Sequence, residues 1–172
     1  MAGNTVNLGG VLDNTGSTLA LDSTTGSLRM VNGSRLVGGT VVTPTGGTQF
    51  LPEWGSTLQG LRLDSDLTIP SGVNVNVQGG LTLANGRTLT VGSGGNNNST
   101  LDFPGAQTLG VDNGGTATVR LGTGNAINAF NPNGGVLTLG SGLTVSPQGT
   151  NGRLSYDYGD EAVSYTHLTL PT

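Results

Sequence analysis

The chain lacks cysteine and lysine, and it carries few charged or aromatic side chains. Its 172 residues include no Cys, 9% charged and 4% aromatic residues, and all six basic residues are arginines. The missing cysteine excludes disulfides, thiolate metal sites and cysteine nucleophiles. The net charge of −4 disfavours nucleic acid as a partner, because phosphate binding needs clustered positive charge. No apolar run approaches the roughly 18 residues of a membrane span, so we expect no membrane insertion by this segment.

Glycine is abundant instead. The chain has 32 glycines, many of them beside asparagine or serine in dipeptides that are typical of turns. Between these turns lie short segments in which apolar and polar residues alternate, which is the pattern of half-buried strands. No stretch keeps the 3.6-residue period of an amphipathic helix. The sequence therefore predicts an all-β fold.

The strand-like segments recur in two interleaved series. The first series is 19–21, 40–42, 61–63, 81–83, 101–103, 119–121 and 137–139, and the second is 67–69, 89–91, 109–111, 127–129 and 143–145. A repeat of about 20 residues predicts a right-handed parallel β-helix, or solenoid, of about seven coils of roughly 20 residues each. An antiparallel sandwich or barrel built from hairpins would use the same strands and turns. Parallel contacts between equivalent residues of successive repeats distinguish the solenoid from this alternative.

The repeats resemble a known group of proteins. The segments STLQGLRLDSDLTI (56–69), GLTL (80–83), STLDFPGAQTL (99–109) and GVLTLGSGLTV (135–145) are similar to the β-solenoid regions of bacterial autotransporter passengers and filamentous-haemagglutinin-like adhesins. The resemblance covers about residues 5–155 and includes no catalytic motif. It implies a secreted, extracellular location on a bacterial cell surface. It also implies partners such as host or environmental glycans, surface proteins and further solenoid coils of a full-length chain.

The last ten residues, 163–172, do not follow the residue pattern of the preceding repeats. Their sequence VSYTHLTLPT matches a translation of transposon-type sequencing-adapter DNA, and it contains His167, the single histidine of the chain. We interpret 163–172 as a non-native, adapter-encoded tail, with a genuine C-terminal strand as the alternative, and 1–162 as a β-solenoid repeat segment of a larger protein, a metagenomic fragment. We expect the tail to make no contacts with the solenoid.

Asp64 and Asp66 are the strongest candidates for chemistry. Two residues apart on a strand, they would face the same way at about 6.5–7 Å, near the lower limit for inverting glycosidases. A carbohydrate-active β-helix would need further acids on the same face of neighbouring coils. The equivalent positions of the next two coils are expected to be Ala84 and Gly86, then Pro104 and Ala106. We therefore favour a polar turn at Asp64–Asp66, with side-chain–backbone hydrogen bonds, over a catalytic pair.

Trp54, the only tryptophan, lies in the segment Phe50–Trp54, which interrupts the repeats. We interpret this segment as a longer loop in which Trp54 packs on the solenoid, and an exposed aromatic platform for a sugar or partner is the alternative. Trp54, Asp64 and Asp66 are thus candidate contacts for a glycan or partner. We expect no enzymatic activity, no metal and no cofactor. The sequence predicts a structural or adhesive segment, and a polysaccharide-binding or -cleaving β-helix that uses Asp64 and Asp66 is the alternative.

Overall fold

The computed structural model describes residues 4–93, 98–112, 114–122, 128–131, 135–148, 152–153 and 162–165. Short β-strands make up the regular structure of these ranges, and no helix occurs within them. The strands are β1 (Thr5–Leu8), β2 (Val11–Asp13), β3 (Thr18–Ala20), β4 (Ser27–Met30), β5 (Arg35–Val37), β6 (Thr40–Val42), β7 (Phe50–Pro52), β8 (Thr57–Asp64), β9 (Leu67–Pro70), β10 (Asn74–Leu83), β11 (Thr88–Ser93), β12 (Ser99–Asp102), β13 (Gln107–Val111), β14 (Ala117–Leu121), β15 (Asn128–Asn131), β16 (Val136–Leu139), β17 (Leu143–Pro147), β18 (Gly152–Arg153) and β19 (Ala162–Tyr165).

These strands wind through three faces. Face A contains β1, β4, β7, β9, β11, β14 and β17; face B contains β2, β5, β8, β10, β12, β15 and β18; and face C contains β3, β6, β8, β10, β13, β16 and β19. Every strand pair in the described residues is parallel. Within the described ranges, the chain thus passes each face seven times, and the solenoid has about six turns. The parallel β-solenoid is confirmed, and the antiparallel sandwich or barrel is wrong.

Strands β8 and β10 each serve two faces because they bend at glycine. Gly60 divides β8, and Gly79 with Gly80 divides β10, all three with φ between 58° and 82°. L-residues with side chains rarely adopt this left-handed region, so glycine allows a sharp corner without a break in the strand. The second glycine of β10 is an extra residue that shifts the register between Gln78 and Leu81.

The core is a set of ladders that run along the solenoid. The side chains expected to point inward are all at most 2% exposed: Leu61, Leu63, Leu81, Leu83, Leu101, Phe103, Val119, Leu121, Leu137 and Leu139. Since one coil alone cannot enclose its apolar side chains, stacking supplies the burial. The alternation of inward apolar and outward polar residues is thus confirmed for these segments.

The predicted order within the ladders is right only in part. Leu61 pairs with Leu81, and Leu63 pairs with Leu83, as expected. The next neighbour of Leu81 on face C is Leu109, however, and not Leu101. The expectation of a uniform coil length fails here, because the coil from Leu81 to Leu109 is longer than the coil from Leu61 to Leu81.

The two predicted series therefore exchange members after β11. Leu101 pairs with Val75 on face B, and Val119 pairs with Leu89 on face A. Leu109, placed in the second series with Leu89, lies on face C instead. Longer turns between strands cause the exchange, which moves 101–103 to face B, 109–111 to face C and 119–121 to face A. The later segments 137–139 and 143–145 lie on faces C and A, as their series predict. Ile127 of the second series lies outside the described residues.

The expectation that residues 163–172 stand apart from the solenoid is wrong for Val163, Ser164 and Tyr165. These residues belong to β19, which pairs with β16 so that Val163 is opposite Leu137. Residues 166–172, with His167, lie outside the described ranges. In the described part of the chain, no helix is long and apolar enough to cross a lipid bilayer.

Candidate functional site

Asp64 and Asp66 lie at the corner between faces C and A. Asp64 is the last residue of β8, and Asp66 precedes β9. Ser65 between them is 1% exposed, so the chain alternates here and both carboxylates point outward. This agrees with the expected orientation, but each carboxylate has different partners.

Asp64 forms ion pairs with two arginines. Its Oδ1 accepts hydrogen bonds from Nε and Nη2 of Arg87 at 2.9 and 2.8 Å. Its Oδ2 lies 3.6 Å from Nη1 of Arg62. Arg62 precedes Asp64 by two residues on the same strand, whereas Arg87 belongs to the next coil. Asp64 is thus part of a contact between coils.

Arg62 extends the contact by one more coil. Its Nη2 lies 2.5 Å from Oδ2 of Asp112, and its Nε donates to both oxygens of that carboxylate at 3.1 Å. Thr82 and Gly110 continue the strand register from Arg62, and Asp112 follows Gly110 by two residues. We call Arg62, Asp64, Arg87 and Asp112 the charge cluster.

The charge cluster corrects the expected neighbours of Asp64. Leu63, Leu83 and Val111 are in register, so the residues that follow them are Asp64, Ala84 and Asp112. Ala84 agrees with the prediction for the next coil. The prediction of Pro104 for the second coil is wrong, because that coil is longer than expected and brings Asp112 to this position. Two carboxylates therefore share the face, separated by one coil.

The charges around Asp64 make its carboxyl group unsuited to donate a proton. Hydrogen bonds from Arg87 lower the pKa of this carboxyl below its usual 3.8, and the charges of Arg87 and Arg62 add to the effect. The hydrogen bond to Asp112 likewise raises the pKa of Arg62. A general acid in a glycosidase needs a carboxyl with a raised pKa. Asp64 instead remains ionised, so its position favours a role in an ion pair between coils over a role as a general acid.

Asp66 supports the backbone of the next coil. Its Oδ1 accepts the N–H of Thr88 at 2.8 Å, at the first residue of β11. The predicted side-chain–backbone hydrogen bond of a polar turn is thus confirmed for Asp66, while Asp64 bonds to arginine side chains. Asp66 is exposed and borders an open groove.

The groove lies where face A is interrupted. Strand β7 contacts β9, but no ladder connects them in the described residues, and face A consists of two separate sheets. The turn that leads from face C to face A is longer before β7, where it takes residues 43–49, than before β9, where it takes residues 65–66. We call this interruption the seam.

The groove at the seam has a volume of about 520 Å³. It is lined by hydroxyl, amide, charged and apolar groups: Thr43, Thr48, Gln49, Phe50, Leu51, Asp66, Thr68, Pro70 and Arg87. The Oγ1 of Thr48 is buried and has no hydrogen-bond partner within the described ranges. A buried hydroxyl without a partner is costly, but this atom is closed to solvent and so does not form part of the accessible groove surface.

Trp54 lies apart from both the charge cluster and the groove lining. The expectation of a long loop is wrong for Phe50–Pro52, because these residues form β7 and pair with β4. Trp54 itself follows in a turn and is 55% exposed, so it does not pack into the core. The adjacent Glu53 forms an ion pair with Arg29. Trp54 therefore presents an aromatic surface to solvent.

Sequence reasoning missed Arg62, Arg87 and Asp112 as members of a common cluster. They appeared scattered because up to 50 residues separate them along the chain. Their proximity depends on coil lengths, and the glycine- and asparagine-rich stretch after β11 was the available sign that those lengths change. Among the described residues, no group of three or more His, Asp or Glu side chains could hold a metal ion.

Comparisons of the chain with protein-family models, curated proteins and solved structures found no match. A function is therefore inferred from the fold, the charge cluster and the groove.

Proposed function

We propose that the chain is a structural or adhesive β-solenoid segment of a bacterial secreted or cell-surface protein, with no catalysis of its own. In this role it would extend a larger protein away from the cell, where glycans or surface proteins are its partners. The sequence resemblance to autotransporter passengers and filamentous-haemagglutinin-like adhesins supports the location. The fold supports the mechanical part, since stacked parallel strands form the continuous core of a rod.

The observation that carries the proposal is that the residues of the charge cluster form ion pairs with one another across neighbouring coils. Ion pairs connect three successive levels of the solenoid, since Asp64 binds Arg87 of the next coil and Arg62, on the same strand as Asp64, binds Asp112 of the coil after that. Charged groups that could act on a substrate are thus paired with groups from neighbouring coils. Hydrolysis or elimination would instead need a donor and an acceptor of suitable pKa within reach of one bond.

The test is a cleavage screen with the whole chain. Acidic and neutral polysaccharides are incubated with the wild-type chain and with Asp64→Asn and Asp66→Asn, and reducing ends and unsaturated products are measured. We expect no product with any of the three proteins. Cleavage that disappears in either variant, with unchanged circular dichroism, would replace the structural role by the carbohydrate-active alternative.

A second candidate function is the binding of neutral glycans in the groove. The groove favours it because Thr68 and Gln49 offer hydroxyl and amide groups beside the apolar Pro70 and Leu51. Sugar binding sites combine such polar groups with an apolar surface. The carboxylate of Asp66 would contribute its second oxygen, whereas Asp64 would take no direct part because it is bound to arginine.

Binding can be measured by titration with neutral oligosaccharides. Thr68→Arg would fill the groove, and Thr144→Arg places the same side chain at an outward position of face A away from it. If the groove binds sugar, Thr68→Arg weakens binding at least about tenfold and Thr144→Arg leaves it unchanged. Equal effects of the two variants, or no binding by the wild-type chain, would exclude the groove as the site.

A further inference from the structure

Two turns of the solenoid have the same central dipeptide and nearly the same conformation. The chain has five Asn–Gly dipeptides, and two of them lie wholly within the described ranges. Asn32 and Gly33 lie between β4 and β5, and Asn85 and Gly86 lie between β10 and β11. In each turn the residue after the glycine donates its N–H to the carbonyl oxygen of the residue before the asparagine, at 3.0 Å in the 32–33 turn and 3.2 Å in the 85–86 turn. Both glycines have a φ of 77°. The two turns therefore differ mainly in what the next coil offers them.

The 85–86 turn is bound to the next coil. The N–H of Gly86 donates to the carbonyl oxygen of Thr116 at 2.7 Å. The Oδ1 of Asn85 accepts the N–H of Thr116 at 3.0 Å. One residue of the neighbouring coil thus holds both the asparagine side chain and the backbone nitrogen that follows it.

The 32–33 turn lacks both of these contacts. Within the described ranges, the N–H of Gly33 has no acceptor and the side-chain amide of Asn32 has no hydrogen-bond partner. The next coil presents Gly55 here. The Oδ1 of Asn32 and the nitrogen of Gly33 lie 2.7 and 3.8 Å from the point that a β-carbon on Gly55 would occupy. The side chain and the following nitrogen therefore lie on the same side of the turn, and no hydrogen bond holds either of them.

An asparagine that precedes glycine can react without an enzyme. The N–H of the glycine loses its proton to hydroxide, and its nitrogen attacks Cγ of the asparagine. The N–Cγ bond forms, the Cγ–Nδ2 bond breaks, and Nδ2 takes a proton from water and leaves as ammonia. Water then opens the resulting five-membered succinimide at either carbonyl, which gives aspartate or isoaspartate. Glycine favours the attack because it has no β-carbon to hinder the nitrogen or restrict rotation. A hydrogen bond from that nitrogen opposes the attack, since it has to break first.

We propose that Asn32 is a site of spontaneous deamidation and that Asn85 is protected from the same reaction by its contacts with Thr116. This inference goes beyond the proposed structural role. Solvent exposure alone favours the opposite order, because Asn85 is exposed whereas Asn32 is half-buried. The shared dipeptide alone favours neither residue. Contacts between coils therefore decide which turn reacts.

The modification changes the surface beside Trp54. Strand register places Asn32 next to Trp54, because each lies two residues after the paired Met30 and Pro52. A carboxylate at residue 32 adds negative charge next to this exposed aromatic side chain. Isoaspartate also lengthens the backbone of the turn by one methylene group. Deamidation thus alters, as the protein ages, a candidate contact for a glycan or partner.

The test is peptide mapping by mass spectrometry after incubation of the full chain in mildly alkaline buffer. Conversion at each asparagine is followed by the mass difference between an amide and a carboxylic acid, and an isoaspartyl methyltransferase detects the isoaspartate. In the folded chain, we expect Asn32 to be converted at least about tenfold faster than Asn85. In guanidinium chloride the contacts between coils are lost, so the two residues should be converted at similar rates.

Asn32→Gln is the matched variant. It keeps a side-chain amide but would have to form a six-membered ring, so conversion at residue 32 should fall at least about tenfold while that of Asn85 stays unchanged. Circular dichroism checks that the variant is folded. Equal rates at Asn32 and Asn85 in the folded chain, or faster conversion of Asn85, would overturn the proposal. The absence of conversion at Asn32 under conditions in which the unfolded chain reacts would overturn it as well.

Discussion

The coils up to β10 and the coils after it bury similar apolar ladders, but the later coils contain more residues. From Leu19 through Val41 and Leu63 to Leu83, the successive steps on face C take nearly equal numbers of residues. The later steps on this face, from Leu83 to Val111 and from Leu109 to Leu139, each take several residues more.

The inward side chains are nevertheless equally buried in the two regions. Leu63 and Leu109 are both 0% exposed. The fold therefore maintains the register within each ladder, while the turns between faces accommodate the extra residues. Coil length is therefore free to vary, and strand position on a face is not.

The largest effect is expected from shortening a core side chain in either region. Leu63→Ala in the regular coils and Leu101→Ala in the longer ones should each lower the free energy of unfolding by about 2–5 kcal/mol, because both lose buried surface and leave a cavity. Chemical denaturation measures the loss. A cost under about 1 kcal/mol for Leu101→Ala alone would show that the longer coils are loosely packed and that the comparison fails.

Glycines at tight contacts between coils come next. A β-carbon at Gly39 would collide with the carbonyl oxygen of Asn14, and one at Gly142 with that of Gly115. Each Ala variant should cost more than about 2 kcal/mol from steric overlap and backbone strain. Gly86→Ala is the control, since its φ of 77° is equally unfavourable but its β-carbon meets open space. It should cost only about 1–2 kcal/mol. Thermal melting in matched buffers would show whether steric contact of the added β-carbon, and not the positive φ alone, determines which variant loses the most stability.

The charge cluster connects the two regions, and its loss should have a smaller effect. Asp112→Asn should cost at most about 1 kcal/mol, because its side chain is 33% exposed and solvent screens the pair. The contribution should decrease in high salt. A salt-independent loss would point to packing instead of charge.

The same cluster predicts a dependence of stability on pH. The folded-state pKa of Asp64 is lowered, so its stabilisation is complete above the unfolded value of about 3.8 and is lost as the pH falls through the lower folded value. Asp64→Asn should therefore flatten the acid side of a plot of unfolding free energy against pH. A plot that Asp64→Asn leaves unchanged in this acid range would contradict the assignment of the ion pair.

The smallest effect is expected at an outward position. Thr82→Val keeps the branched shape on the exterior of face C and should change the free energy of unfolding by less than about 0.5 kcal/mol. Denaturant midpoints compared with Leu83→Ala, one residue further along β10, would separate the outward from the inward role. Similar losses for both variants would contradict the alternation of β10.

The sequence allowed prediction of the ladders where coil length is constant, and not where it changes. Leu61 and Leu81 are correctly paired because their separation equals the repeat and the same alternation surrounds both. Leu101 has the same alternation and the same spacing from Leu81, yet it occupies another face. Alternation reports which side of a strand is inward, but the conformation of the intervening turns decides which face the strand joins.

The candidate site, like the ladders, could be predicted from the sequence only in part. Asp64 and Asp66 were recognised as outward carboxylates, and the backbone hydrogen bond of Asp66 follows from its place before a strand. The pairing of Arg62 with Asp112 was not predictable, because it depends on the long coil that precedes Asp112. Long-range ion pairs carry no local signal in the sequence.

The seam between β7 and β9 has a consequence for how the rod transmits force. In a solenoid each coil is stabilised mainly by its neighbours, so a missing ladder weakens one particular junction. At this junction faces B and C remain hydrogen-bonded, whereas face A lacks its ladder in the described residues. Under tension along the solenoid axis, opening would begin at β7 and β9 and leave two shorter stacks that unfold as separate units.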